Sequence, residues 1–212
     1  KIVTISEGLN NLYTSLGAKE ENILTAPDGA DIDRFDLDIS RESARSEVGL
    51  PKDKKIVLYK GSLIPWKGAG TLADSSKYIN HKDVEIVFIG GTEEDVVNFK
   101  KDYGNDKRLS IRGNRPRKET PIYQKSADIL VIPNSAKEDI SKLYTSPMKL
   151  FGYMAGGVPI VASDLPSIRE ILGESDAYFF TPDDAKSLAG AIDQVFSNYD
   201  EAQTRADRSL EK

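Results

Sequence analysis

Short, continuous runs of apolar residues alternate along most of this chain with segments of helical pattern. These runs predict strands at residues 56–59, 84–89, 109–112, 128–132, 158–162 and 177–180. A strand that is apolar throughout is typical of a parallel sheet, because crossover helices cover both of its faces. The helical segments between the strands supply those crossovers. The alternation therefore predicts an α/β fold built on a doubly wound, Rossmann-like parallel sheet.

The regular alternation begins only after residue 51. The residues before it contain two short predicted strands, a helix that starts at the Ser6-Glu7 signal, and a dense turn cluster at residues 27–31. We interpret residues 1–51 as the edge of another domain followed by a connecting segment. Residues 52–212 are predicted to form one compact domain.

Composition excludes several classes of function. The 212 residues carry 29 basic and 34 acidic side chains, a net charge of −5, so no global positive field attracts a nucleic acid. The absence of cysteine excludes disulfides, thiolate chemistry and cysteine–zinc sites. The one histidine, His81, rules out a multi-histidine metal site and is predicted to be a solvated loop residue. No apolar run approaches the roughly 20 residues that a membrane-spanning helix requires.

The stretch YTSPMKLFGYMAGGVPIVASD, residues 144–164, is predicted to form a turn, a short helix and a buried strand. Ser146 is predicted to cap the helix, with Pro147 at its first position, and Gly156-Gly157 is predicted to end it. The residues whose three- and four-residue spacing predicts a face toward the core are Met148, Phe151, Met154 and Ala155. The amino-terminal end of such a helix presents unpaired N–H groups, which favour a phosphate.

The loops at the carboxyl ends of the predicted strands are the candidates for a ligand site, because open parallel sheets bind ligands there. Several of these loops are glycine-rich or basic. Their candidate cations are Lys67, Arg115, Arg117 and Lys149. Convergent N–H groups and cations suit an anionic, phosphorylated ligand. No Walker-type loop is present and no GxGxxG follows a strand, which argues against a standard kinase, a GTPase or a nicotinamide dehydrogenase.

Four motifs, in this order, resemble those of family 4 glycosyltransferases of the GT-B fold. They are residues 26–35 (APDGADIDRF), 61–68 (GSLIPWKG), 127–133 (ADILVIP) and 146–164 (SPMKLFGYMAGGVPIVASD). The first is similar to the crossover between the acceptor and donor domains of that family, and residues 2–6 resemble the last strand of the acceptor domain. The resemblance implies one half of a GT-B fold. Residues 1–51 are then the end of the acceptor domain with the interdomain connection, and residues 52–212 bind the nucleotide-sugar donor.

Such a protein transfers a sugar from a nucleotide-diphosphate donor with retention at the anomeric carbon, without a cofactor or a required metal ion. The resemblance implies that Lys67 is the main cation for the departing diphosphate and that Lys149 either adds charge or has a purely structural role. The implied donor-binding positions are Gly61, Ser62, Arg117, Tyr144, Thr145, Ser146, Pro147 and Gly152. The expected acceptor is a glycan, a lipid-linked molecule or a small molecule.

The expected partners are a nucleotide sugar and the missing amino-terminal acceptor domain, and no nucleic acid. Members of the family often act at the inner membrane surface. We therefore expect a cytoplasmic location with peripheral membrane contact through that domain. Because a GT-B site lies between two domains, we expect the isolated 212-residue chain to bind nucleotide without transferring sugar.

Three positions depart from the family pattern. Ser62 stands where many members carry arginine, and Tyr144 and Gly152 stand where many carry two glutamates. The second of those glutamates holds the ribose, and losing a two-point ribose contact weakens binding on the order of 1–3 kcal/mol. An alternative is therefore a catalytically impaired nucleotide-binding or assembly module with the same fold. A third interpretation is a receiver-like domain or an epimerase half, and Asp128, at the start of its strand, argues against the receiver.

Overall fold

Two parallel β-sheets form the framework of the computed structural model, which describes residues 1–212. The smaller sheet pairs β1 (Ile2–Thr4) with β2 (Ile23–Thr25). The larger sheet contains β3 (Lys55–Lys60), β4 (Val84–Ile89), β5 (Leu109–Gly113), β6 (Ile129–Ile132), β7 (Ile160–Ser163) and β8 (Tyr178–Phe180). Its order is β5-β4-β3-β6-β7-β8, and every pair of neighbours is parallel. The predicted doubly wound, Rossmann-like sheet is confirmed.

Ten α-helices connect and cover the strands. They are α1 (Glu7–Ser15), α2 (Arg41–Glu47), α3 (Ala69–Ser75), α4 (Glu93–Tyr103), α5 (Thr120–Ser126), α6 (Asp139–Lys142), α7 (Met148–Ala155), α8 (Pro166–Arg169), α9 (Ala185–Ser197) and α10 (Tyr199–Leu210). Single turns of 3₁₀-helix lie at Glu20–Asn22, Ile32–Arg34, Pro65–Lys67, Ser76–Tyr78 and Arg117–Glu119. The pattern does not predict α6 and α8, because one turn of helix is too short to show a periodicity. None of the ten helices combines the length and the apolar character that crossing a bilayer demands.

The direction in which the larger sheet grows reverses between β3 and β6. From β3 the chain adds β4 and β5 on one side, and from β6 it adds β7 and β8 on the other. The two starting strands are neighbours, paired at Val57↔Ile129 and Leu58↔Leu130. A crevice forms outside the carboxyl ends of the strands at such a point. The loops that follow β3 and β6 are therefore well placed to contact a ligand.

The strands are apolar on both faces because the core has two layers. Val57 and Tyr59 of β3 belong to one cluster, with residues of α3 and α9. Ile56 and Leu58, which point to the opposite face, belong to the other cluster, with residues of α5 and α7. All four side chains are fully buried. The continuous apolar runs of the sequence thus follow from a sheet covered by helices on both sides.

A buried ion pair fastens α2 to the larger sheet. Nη2 of Arg45 lies 2.6 Å from Oδ2 of Asp128, and the same oxygen accepts a hydrogen bond from the N–H of Ile56. Arg45 also donates to the carbonyl oxygens of Lys52, Lys54 and Ser126. Asp128 therefore has a structural role at the start of β6. Helix α2 lies within residues 1–51, and the division of the chain at residue 52 stays a prediction.

His81 lies in a loop, as predicted, but its side chain is only partly solvated. Its Nδ1 lies 2.9 Å from Oδ1 of Asp193 in α9, and its ring packs against Phe196 with 5.3 Å between the ring centroids. Only 25% of the His81 side chain is exposed. The loop that carries His81 folds against α9, which is a contact between distant parts of the chain that the local sequence does not indicate.

Candidate functional site

Helix α7 begins at Met148, and Pro147 is its N-cap residue. The predicted cap at Ser146 is wrong, because its hydroxyl oxygen instead accepts a hydrogen bond from the N–H of Asp28 at 3.1 Å. Asp28 belongs to residues 26–40, which join β2 to α2 and are called the linking segment below. Ser146 therefore ties the linking segment to the start of α7.

The buried face of α7 also differs from the predicted one. Of the four residues predicted to face the core, Met154 is buried, Phe151 and Ala155 are partly buried, and Met148 is 71% exposed. The side chains of α7 that are fully enclosed in the core are Leu150 and Tyr153. Helix α7 lies between the sheet and the linking segment, so the spacing rule for a helix with one buried face does not apply to it.

A crevice of about 860 Å³ opens between α5, α7, the linking segment and the loop after β5. Five basic side chains line it, against a single acidic one, Asp31. The basic residues are Arg34, Lys60, Arg115, Arg117 and Lys149. In a chain with a net charge of −5, this local concentration of positive charge marks a site for an anion.

The ammonium group of Lys149 is buried at this crevice without a hydrogen-bond partner. Its Nζ lies 4.4 Å from the ring centroid of Tyr59. Burial, followed by the nearby charges of Lys67 and Lys60, lowers the pKa of Lys149 to about 7. A buried cation without a partner is unfavourable unless a ligand supplies the opposite charge. Lys149 is therefore the strongest candidate for an anion-binding residue.

Two neighbouring lysines also have lowered pKa values. Burial lowers the pKa of Lys67, and burial followed by the charges of Arg34 and Arg117 lowers the pKa of Lys60. Lys60 lines the crevice. Lys67 lies beside it rather than in its lining, with Nζ 3.7 Å from the ring centroid of Trp66. The predicted cation Lys67 is thus part of the positive cluster, and Lys60 has the more direct access to a ligand.

Gly61 and Ser62 line an adjoining cavity of about 240 Å³, which shares Lys60, Asn114, Arg115 and Thr120 with the crevice. A Cβ added at Gly61 would lie 3.2 Å from Nζ of Lys149, so glycine keeps the space beside the ammonium group open. The hydroxyl of Tyr59 donates to the carbonyl oxygen of Ser62 at 2.7 Å and holds the loop in place. Both predicted positions therefore lie next to the lysine cluster.

The other predicted donor-binding residues fall into two groups. Arg117 and Gly152 line the crevice. Tyr144, Thr145, Ser146 and Pro147 do not line it and form the turn that leads into α7. Within this turn the hydroxyl of Thr145 donates to the carbonyl oxygen of Ile140. A role of these four residues in binding a donor stays a prediction.

Several crevice residues have no binding role in the sequence pattern. Among them are Phe35, Lys60, Thr120 and Gln124. Thr120 and Gln124 are four residues apart on α5, so they share one face of the helix, and this spacing is the signal that could have indicated them. Phe35 is brought into the site by the linking segment, and a Cβ added at Gly152 would lie 3.1 Å from its Cζ. That contact has no local signature.

The crevice is equipped to bind an anion and to stabilise negative charge. Its cations come from the linking segment, the end of β3, the loop after β5 and helix α7. Asp31 is the only carboxylate in its lining, and the lining contains no histidine. No group of three or more histidine, cysteine, aspartate or glutamate side chains is arranged to hold a metal ion.

Sequence comparison relates the chain to sugar-transferring enzymes. A family model described as "Glycosyl transferases group 1" matches residues 40–211. The D-inositol 3-phosphate glycosyltransferase of Corynebacterium efficiens is 26% identical over 188 residues, which cover 82% of this chain and 42% of that protein. The chain spans about half the length of the curated relatives it matches.

Two solved structures have the same fold. HepE from Anabaena, crystallised in complex with UDP and glucose, matches with a TM-score of 0.82 and 19% identity over 99% of this chain and 56% of that one. The C-terminal domain of LpcC, a glycosyl transferase group 1 family protein from Francisella tularensis, matches with a TM-score of 0.67 and 19% identity. That match covers 86% of this chain and 95% of the domain.

Proposed function

This chain belongs to the glycosyl transferase group 1 family, and we propose that it forms the nucleotide-sugar-binding half of a GT-B enzyme. The family match covers residues 40–211, and the six-stranded parallel sheet is the Rossmann-like half of that fold. The whole enzyme transfers a sugar from a nucleotide-diphosphate donor, with retention at the anomeric carbon, to a glycan, a lipid-linked acceptor or a small molecule. The UDP in the Anabaena HepE crystal supports a nucleotide donor.

The buried ammonium group of Lys149 is the observation that carries this proposal. It lacks a hydrogen-bond partner and lies near Lys60 and Lys67 at a crevice with one acidic side chain. A diphosphate presents charged oxygens that form short, charge-assisted hydrogen bonds with such cations. Its charge also favours the protonated form of Lys149, whose pKa is lowered to about 7 in the free protein.

Negative charge accumulates on the diphosphate as its bond to the anomeric carbon breaks. Cations that hold the diphosphate more strongly in the transition state than in the ground state accelerate this step. In the proposed arrangement, Lys149 and Lys60 pair with the phosphates and Lys67 adds positive charge beside them. The base lies against the loop of residues 113–117. No metal ion or cofactor takes part.

In this proposal an acceptor domain, the other half of a GT-B fold, supplies the second wall of the cleft. It binds the acceptor, and it makes the peripheral contact with the inner face of the membrane in a cytoplasmic protein. The present chain is then a donor-binding half that does not transfer sugar alone.

Calorimetric titration with UDP, GDP, ADP and their sugar derivatives tests the proposed function. We expect one nucleoside diphosphate to bind the chain, with the same affinity in the presence of EDTA. Its monophosphate is expected to bind on the order of 10-fold more weakly, because one charged group is missing. The absence of binding by every nucleotide would overturn the proposal. Efficient sugar transfer by the isolated chain would contradict the proposal that a second domain is required for the reaction.

A nucleotide-binding or assembly module that has lost catalysis is the second candidate. The observation that favours it is Gly152, which brings no carboxylate to the crevice, together with Ser62 at a position where many family members carry arginine. Nucleotide binding without transfer from any donor, measured on a protein that includes an acceptor domain, would favour this candidate over the enzyme.

A further inference from the structure

The ring of Tyr59 is the surface against which the ammonium group of Lys149 lies. Tyr59 is fully buried near the end of β3, and Nζ of Lys149 lies over its ring, 4.4 Å from the centroid. The negative face of an aromatic ring attracts a cation at this distance, and the attraction is stronger where water is excluded. Because Lys149 has no hydrogen-bond partner, this ring is the contact that stabilises its charge in the unliganded protein.

The hydroxyl group of Tyr59 makes a separate contact. It donates to the carbonyl oxygen of Ser62 at 2.7 Å, and burial raises the pKa of Tyr59, so the hydroxyl keeps the proton that it donates. A Cβ added at Gly61 would lie 2.9 Å from this hydroxyl oxygen and 3.2 Å from Nζ of Lys149. One side chain therefore fixes the loop after β3 through its hydroxyl and the ammonium group of Lys149 through its ring.

The charged groups that other elements bring toward Lys149 are cations with one exception. Lys60 at the end of β3 and Lys67 in the loop after it repel the charge of Lys149 and lower its pKa, as burial does. The remaining charged groups of the crevice are Arg34, Arg115, Arg117 and the acidic Asp31. The other crevice residues from α5 and α7 are neutral. The attraction of the Tyr59 ring opposes the combined effect of burial and repulsion.

A ring face supports a cation in a way that suits ligand binding. An ammonium group carries three N–H donors, and a carboxylate partner would occupy some of them and neutralise the charge. The ring of Tyr59 does neither, so the donors of Lys149 stay available for phosphate oxygens. This distinguishes Tyr59 from a side chain that only fills the core.

We propose that Tyr59 is a positioning residue for diphosphate binding, whose ring holds the ammonium group of Lys149 in its charged form beside Gly61. The part of this assignment that concerns the diphosphate rests on the proposed function. The effect of the ring on the proton of Lys149 does not, because it is present in the unliganded chain.

NMR titration of the protein labelled with ¹³C at lysine Cε measures the proton of Lys149 directly. The signal that disappears in Lys149→Met identifies the residue. Tyr59→Leu is expected to lower the pKa of Lys149 by on the order of one unit, because the attraction of a desolvated ring is lost. Tyr59→Phe keeps the ring without the hydroxyl and is expected to keep the pKa.

Phe88→Leu is the control for a general loss of packing. Phe88 belongs to the same core cluster and packs against Tyr59, with 5.9 Å between the ring centroids. Its removal is expected to leave the pKa of Lys149 unchanged. Thermal unfolding verifies that each variant is folded, and Tyr59→Met, which fills more of the space, replaces Tyr59→Leu if the latter is not.

Calorimetric titration with UDP, GDP and ADP across the pH range tests the consequence for binding. Above about pH 7, Tyr59→Leu is expected to bind the nucleotide on the order of 10-fold more weakly than the unmodified chain, because less of its Lys149 is charged. The two affinities are expected to converge below the lowered pKa. A purely structural defect would instead reduce the affinity by the same factor at every pH.

Two outcomes would overturn the role of Tyr59 and leave the proposed function intact. One is a Lys149 pKa that is the same in Tyr59→Leu and in the unmodified protein. The other is a Tyr59→Phe variant that loses as much as Tyr59→Leu, which would assign the effect to the hydroxyl. If none of the three nucleotides binds the unmodified chain, the proposed function fails together with the binding role of Tyr59, and the NMR titration still decides whether the ring supports the charge.

Discussion

Replacing Lys149 with methionine is expected to weaken the binding of a nucleoside diphosphate on the order of 10- to 100-fold, because a charged hydrogen bond to phosphate is lost. The same substitution is expected to stabilise the unliganded protein by roughly 1 kcal/mol. The ammonium group is buried without a partner, and methionine occupies a similar volume without a charge. Opposite effects on affinity and on stability are expected of a group retained for binding rather than for folding.

Thermal unfolding and calorimetric titration at pH 7 measure the two effects. Lys142→Met is the matched control, because Lys142 is exposed on the nearby helix α6. The control is expected to change the free energy of unfolding by less than about 0.5 kcal/mol and to keep the affinity for nucleotide. A Lys149→Met protein that loses stability and binds nucleotide normally would contradict the assigned role of Lys149.

The lowered pKa of Lys149 also leads to a specific pH dependence. Below about pH 7 the side chain is charged in the folded and the unfolded states. Between about pH 7 and the ordinary lysine value of 10.5, the folded protein has lost this proton and the unfolded chain still holds it. The unmodified protein is therefore expected to gain stability relative to Lys149→Met as the pH rises through this range.

Nucleotide affinity is expected to change in the opposite direction. A bound diphosphate favours the charged form of Lys149, so binding takes up a proton above about pH 7. The affinity of the unmodified protein should fall as the pH rises from 7 toward 10, and Lys149→Met should lack this part of the dependence. Calorimetric titration across the range measures the difference, and parallel pH profiles for the two proteins would contradict it.

Two elements have the same first and last residues in the structure as in the prediction, because the signals that define them are local. Helix α4 occupies the predicted residues 93–103, and its start is defined by a capping box in which Thr92 and Asp95 exchange hydrogen bonds. Strand β4 occupies the predicted residues 84–89 and is buried along its whole length. Elements of this kind carry their own start and stop signals, so their prediction needs no information from the rest of the chain.

Contacts between distant segments explain the errors. The buried face of α7 depends on the linking segment, in which Asp28 donates to Ser146 and Phe35 packs near Gly152. Neither contact has a local signature in the sequence. The sequence indicates Lys149 as a cation, but the burial of its ammonium group arises only when α7 packs beside β3. The sequence therefore predicts an anionic ligand. It does not predict that Lys149 is the cation whose buried charge most needs a counter-charge.

Gly68→Ala is expected to destabilise the protein by about 3 kcal/mol or more, because two penalties act at one position. Gly68 has a φ of +74°, which is unfavourable for residues that carry a Cβ. An added Cβ would also lie 1.6 Å from the carbonyl oxygen of Pro133, where the loop after β3 meets the end of β6. Because the obstructing atom belongs to the backbone, the loop must move away from β6, and Lys67 moves with the loop.

In urea unfolding, the loss of stability in Gly68→Ala is expected to lower the midpoint and to leave the slope unchanged. Two further alanine variants separate the penalty of the positive φ from that of the clash with Pro133. Gly49 has a φ of +63°, but the nearest atom to an added Cβ, Nη1 of Arg112, is 3.9 Å away, so Gly49→Ala reports the conformational penalty alone. Gly190 in α9 has no atom within 4 Å of an added Cβ, and Gly190→Ala is expected to stabilise the protein by about 0.5–1 kcal/mol. If Gly68→Ala loses no more stability than Gly49→Ala, the loop is not anchored on Pro133. The position of Lys67 beside the crevice would then lack its structural basis.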